Sequence, residues 1–164
     1  MKHAAAQPGP EAIAARRAAR LAAVQALYQM EVSGSSSATA VIDLLAGRLP
    51  VDDQGEIDTD VDADLFRQIV ETTVEKQQEL DTLLARKLAK GWRLERIDAV
   101  ARAILRAGLI ELWRRPDVPT AVVIDEYVEI AHAFFEGQEP GFINATLDAC
   151  VAAVRSGEGV KEQP

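Results

Sequence analysis

Three arginines, Arg16, Arg17 and Arg20, crowd the stretch AIAARRAARLAAVQALYQ, and guanidinium groups at that density are suited to binding phosphate. At about 100° per residue they project near 0°, 100° and 40°, while Val24, Leu27 and Tyr28 project near 80°, 20° and 120°. The arginines therefore share the face that becomes an apolar stripe one turn later. The helix is expected to overhang the protein body, so that its basic end stays exposed in line with the buried part. Cations near a helix N-terminus oppose the macrodipole, and a positive helix end bearing arginines suits an anion. The plainer alternative is a basic helix end with snorkelling stems.

A second basic island, ARKLAKGWRLERIDAVARAILR, holds Arg86, Lys87, Lys90, Arg93, Arg96, Arg102 and Arg106. It reads either as a phosphate track with Trp92 as a stacking ring or as the wet side of amphipathic helices. Trp92, beside Gly91 at a helix junction, is expected to plug the core. Other chemistry is thin. His3 and His132 lack a second ligand at metal spacing, so no metal or cofactor is expected. Seven carboxylates between Asp52 and Asp64 lack the calcium-loop pattern and read as a flexible acidic loop. Cys150 falls in an apolar stripe, and no Gly-rich phosphate loop or Ser/His/Asp set occurs. No enzymatic site is expected.

The elements that must carry these residues are helical. Periodicity predicts helices over about 11–32, 37–48, 62–90, 94–114, 120–135 and 142–154, the third continuing or kinking between Gln77 and Leu80, which makes an all-α fold of about seven helices. Gly34 suits a helix C-terminus, and Pro50 and Pro116 act as stops. The strongest pattern runs through Ile97, Val100, Ala101, Ile104, Leu105, Gly108, Leu109, Leu112 and Trp113, an unbroken helical stripe. Burying its large members offers on the order of 10–20 kcal/mol gross, which makes this the central helix. The following helix is expected to bury Val123, Ile124, Tyr127, Val128, Ala131, Phe134 and Phe135. Residues 1–10 and 156–164 are expected to be flexible tails around a single domain over 11–155.

With 164 residues, 48% of them apolar, the chain can build one core without staples. Its net charge of −8 repels phosphate globally. By segment the charge is +2 over residues 1–33, −9 over 34–85, +5 over 86–106 and −6 over 107–164. Two basic islands are spared in an acidic chain, so any nucleic-acid contact must be local. One cysteine, no long apolar run and no signal-peptide core point to the cytoplasm.

Three stretches together resemble the NusB family of bacterial transcription antitermination factors: ARRAARLAAVQALYQMEVSG, WRLERIDAVARAILRAGLIELW and VPTAVVIDEYVEIAHAFFEGQEPGFINATLDA. The resemblance covers about residues 14–154 and implies an all-helical fold of two small bundles. It further implies binding of the boxA element of nascent ribosomal RNA together with ribosomal protein S10 (NusE). That binding would act within the RNA polymerase antitermination complex and promote read-through of ribosomal RNA operons. Matched motif by motif, the implied RNA-binding residues are Arg16, Arg17, Arg20, Gln25, Tyr28, Phe142 and Asn144. Phe134 and Arg106 are assigned to the S10-facing surface. Four departures from the family pattern stand out: Ala145 replaces a glycine, Asp125 replaces an asparagine, Gly141 replaces a frequent basic residue, and the arginine block is shorter than in some members, with Ala18 and Ala19 inside it. Three phosphate contacts would give a single-strand salt slope of only about −2. Such a patch needs a basic partner protein, which could dock on the acidic remainder. The rival reading is a protein-interaction module that does not touch RNA. The helical domain of some RNA methyltransferases is a third, set aside because no cofactor-binding segment follows. The chain alone is expected to be a monomer or a homodimer.

Overall fold

The computed structural model describes residues 7–46 and 60–155. Residues 1–6 and 156–164 of the expected tails, His3, Arg48 and most of the acidic stretch lie outside them. Among the described residues six α-helices and one 3-10 turn follow in order: α1 Pro10–Ser33, α2 Ser37–Leu45, α3 Ala63–Lys87, the turn Leu94–Arg96, α4 Ala99–Arg114, α5 Thr120–Phe134 and α6 Glu139–Val154. Among the described residues there is no strand, and no helix is long and apolar enough to cross a membrane.

Local signals set the boundaries. Gly34 adopts φ 78°, and its N–H donates to Met30 O, closing α1. Asp62 caps α3 by accepting from Leu65 N, and a kink at Lys76 bends that helix. The central helix starts later than its stripe suggests. Leu94–Arg96 is a separate 3-10 turn, Ile97 is extended, and Asp98 caps α4 by accepting from Val100 N at 2.7 Å. The reason lies one turn into α4: Arg102 Nη1 donates to Leu94 O and Ile97 O, satisfying carbonyls that a longer helix would have used itself. At α6 the difference is reversed. The helix begins at Glu139 rather than Phe142, with Pro140 in its first turn, where a missing N–H costs nothing.

Helix α4 is enclosed by its neighbours and carries Ile104, Leu105, Leu109, Ile110 and Leu112 into one continuous core. Around it stand α1, α3, α6 and α5 in that order, so α1 and α6 lie diagonally opposite each other. The two small bundles, α1 to α3 and α4 to α6, share this core. The close approach of α4 and α6 depends on Gly108, where a Cβ would come within 2.9 Å of Leu147 Cδ1. Phe134, expected in the core, is instead 45% exposed at the end of α5, while Phe135 packs inward.

Candidate nucleic-acid interface

The arginine end of α1 divides its three cations between surface and core. The side chain of Arg17 is 65% exposed, and its Nε donates to both oxygens of Glu126, at 3.0 and 3.2 Å. Pairing through Nε leaves the outer Nη edge of the guanidinium facing water. Arg16 is half-buried and lies near Asp117, whose carboxyl is held below its usual range first by the Arg115 hydrogen bond, with Arg16 adding to the effect.

Arg20 departs from the expectation that the whole basic end stays exposed. It is buried at 3% exposure, its Nε and Nη2 donating to Glu111 at 2.9 and 2.7 Å. Tyr127 Oη donates to the same carboxylate at 2.8 Å, and Glu126 stands 3.7 Å from Arg20. Burial opposes the charge on Arg20, but the Glu111 hydrogen bond and its charge outweigh that effect and raise its pKa. Burial first, and Glu111 next, push the Tyr127 phenol well above its usual value. This cluster ties α1 to α4 and α5 and aims exposed Arg17 and half-buried Arg16 without offering Arg20 to a ligand.

Further along α1, Gln25 is half-buried and Tyr28 is 37% exposed. Glu31 then meets Arg102 and Arg106, and Arg106 also donates to both oxygens of Asp81 at 2.8 Å. These groups line a cleft of about 840 Å³ between α1, α3 and the 3-10 turn, walled by Met30, Val74 and Leu94. Arg106 therefore presents the edge of an ion-pair cluster rather than a bare charge.

Phe142 and Asn144 lie elsewhere. Arg20 pairs with Glu111 while Glu31 pairs with Arg102 and Arg106, so α1 runs antiparallel to α4. The Gly108–Leu147 approach, and Arg155 Nε donating to Leu112 O, make α6 parallel to α4. By helical rise, Phe142 is about 12 Å along the α4 axis from Glu111. Arg16 and Arg17 thus occupy one end of the molecule, and Phe142, with exposed Asn144, the other, on the diagonally opposite helix. Trp92 is not a core plug. It is 38% exposed and stacks on Phe142 at 4.4 Å between ring centroids.

Two partners escaped the sequence reading, Glu111 and Glu126. Glu111 had a signal: seven residues after Ile104, it falls on the buried face of α4, where a carboxylate requires a cation. Among the described residues, no group of three or more His, Cys, Asp or Glu could hold a metal ion.

An all-helical protein of two small bundles around a shared central helix, with a basic helix end propped by one buried and one half-buried acid, is the class that this fold and surface define. The NusB family profile matches residues 17–152, and the chain belongs to the NusB family. It is 51% identical over 140 residues to the transcription antitermination protein NusB of Caulobacter vibrioides, covering 85% of this chain and 94% of that one. The namesake from Sinorhizobium fredii is 50% identical over 140 residues, covering 85% and 88%. Among solved structures, NusB of T. maritima superposes with a TM-score of 0.69 at 27% identity, covering 91% of this chain and 93% of that one. A structure of antitermination factors NusB and NusE in complex with dsRNA shares the fold, with a TM-score of 0.67 at 20% identity over 84% and 96% of the chains.

Proposed function

We propose that this chain is a transcription antitermination factor. It binds the boxA element of nascent ribosomal RNA transcripts jointly with ribosomal protein S10 (NusE), and within the RNA polymerase antitermination complex it promotes read-through of ribosomal RNA operons. The observation that carries the reading is the 51% identity to a NusB protein of that name across 94% of its length. The role is one of binding, in the cytoplasm where nascent RNA is made, and involves no catalytic step.

In this reading Arg16 and Arg17 contact phosphates, with the Nη edge of Arg17 presented by Glu126. Arg20 is a positioning residue that fixes α1 through Glu111. Gln25 and Tyr28 continue the same helix, and Phe142 and Asn144 form a second contact region that a strand reaches only by crossing the body. Exposed Phe134 and the Arg106 cluster serve S10. Two arginine contacts predict a single-strand salt slope of about −1.4, so high affinity requires the partner protein.

The test is a titration of boxA RNA with and without S10, using the native protein and the Arg16→Ala/Arg17→Ala variant. Joint binding that exceeds either binary affinity, and weakens in the variant, is expected. Unchanged affinity in the variant removes the arginines from the site. Binding of S10 with no gain in RNA affinity favours the protein-interaction module.

A further inference from the structure

The sequence offers three arginines to phosphate at the start of α1, and the burial of Arg20 against Glu111 leaves two. The helix that takes Arg20 away brings up another cation. Arg114 is the last residue of α4, three positions beyond Glu111, and Arg17 stands three positions before Arg20 on the antiparallel α1. Each step is about 4.5 Å of helical rise in the same direction, so Arg114 and Arg17 share one level of the molecule. Around the α4 axis Arg114 projects between Arg106 and Glu111, about 80° from the first and about 60° from the second. Both of those residues pair with α1, through Glu31 and Arg20, so Arg114 lies on the face of α4 turned to α1. Arg16 belongs to the same corner, since its charge reaches Asp117, the partner of Arg115.

Arg114 differs from its neighbours in having no acid to neutralise it. Arg17 pairs with Glu126, Arg20 with Glu111, and Arg115 with Asp117 at 3.1 Å. Among the described residues the side chain of Arg114 makes no ion pair and no hydrogen bond. Its guanidinium lies over the Trp113 ring, 4.9 Å from the centroid, and Trp113 is half-buried and packed against the core. The indole occupies one face of the guanidinium, while the rest of this exposed side chain keeps its N–H donors for water. A cation in the last turn of a helix suits the macrodipole, which accounts for the charge but not for the seat on a fixed ring. Arg114 also falls outside both basic islands, in a segment of net charge −6, so counting charges along the chain passes over it.

We propose that Arg114 is a further RNA-contact residue, the third cation of this end in place of buried Arg20, and that it takes a phosphate of the strand held by Arg16 and Arg17. An arginine presents its donors in a planar fork that fits phosphate oxygens, and stacking on a packed indole orders that fork before the phosphate arrives. The strand is then gripped from two helices, across the seam between α1 and the end of α4. The inference rests on the RNA-binding reading and extends it beyond the first helix. One more phosphate contact adds about 0.7 to the salt slope and takes the expected value from about −1.4 to about −2.

The test is a titration of boxA RNA in the presence of S10 over a series of salt concentrations, with the native protein, Arg114→Ala, Arg114→Lys and Arg16→Ala/Arg17→Ala. Arg114→Ala is expected to make the salt slope shallower by about 0.7 and to weaken binding about five-fold at about 0.1 M salt. Its melting temperature is expected to stay within about 4 °C of the native value, the most that a lost helix-end charge costs. Arg114→Lys keeps the charge and is expected to restore the slope. Weaker binding of Arg114→Ala at an unchanged slope overturns the assignment, because the side chain then acts through the fold rather than on a phosphate. Native affinity and slope in Arg114→Ala, beside a loss in Arg16→Ala/Arg17→Ala, overturns Arg114 and leaves the α1 contacts standing. Native behaviour in both variants overturns the RNA reading of this end, and Arg114 with it.

Discussion

Replacing Arg20 by alanine tests whether this arginine holds the structure rather than a phosphate. In the native protein Glu111 is fully buried and receives three bonds from Arg20, two of them from Nε, and one from Tyr127. Arg20→Ala leaves the carboxylate with only the Tyr127 hydroxyl. Breaking a buried pair from one side costs about 3–5 kcal/mol, because the remaining charge has lost its partner without regaining water. For a chain of this length each kcal/mol lowers the melting temperature by about 2–4 °C, so the expected fall is about 6–20 °C. Thermal and urea unfolding followed by circular dichroism at neutral pH measure it. Removing the whole cluster, as Arg20→Met with Glu111→Leu and Tyr127→Phe, should recover most of the loss, since apolar groups can replace a buried pair. A loss below about 1 kcal/mol in Arg20→Ala, as an exposed pair would give, would falsify the account, as would a triple variant no better than the single one.

Arg17→Ala should behave in the opposite way: with the side chain 65% exposed, it should cost under about 1 kcal/mol in unfolding assays yet weaken RNA binding. The hydrogen bond from Arg102 holds Glu31 below its ordinary value of 4.5, more than offsetting its partial burial. A depressed folded pKa contributes stability that is present above the ordinary value and lost as pH falls through the folded one. The urea midpoint should therefore fall below about pH 4.5, and Glu31→Gln should flatten that slope. Burial pushes the Cys150 thiol up to about 11, so thiol reagents at mildly alkaline pH should react slowly until denaturant is added. Gly108→Ala should destabilise by about 1–3 kcal/mol, measured by urea titration, because its Cβ meets Leu147 and the Tyr127 ring.

The helices themselves were readable because their evidence is local. The stripe through Ile104, Leu105 and Leu109, and Gly34 as a terminator, needed no tertiary knowledge. The start of α4 was misread because the group that unravels the segment before it, Arg102, acts through a side chain and leaves no trace in periodicity. For the site, the projection already placed Arg20 between Leu27 and Val24, and Glu111 already fell on the buried face of α4. Each is anomalous alone, and only the antiparallel pairing of α1 with α4 makes them one feature. The separation of Phe142 from the arginines was not legible at all. It depends on the order in which α1, α3, α6 and α5 surround α4, and helical periodicity does not specify that order.

Arg155 brings in the timing of synthesis. Its guanidinium donates to Leu112 O and Arg115 O, both at 2.7 Å, and to Thr120 Oγ1 at 3.0 Å, closing the corner between α4 and α5 from the far end of α6. The carbonyls at the end of the central helix therefore wait for a residue made some forty positions later. On a ribosome adding about 5–20 residues per second, that corner lacks its final tie for a few seconds while α5 and α6 are being translated. The N-terminal bundle can assemble first, and the last helix acts as a latch, so premature termination before Arg155 yields a chain with its principal core drafted but its corner unfastened.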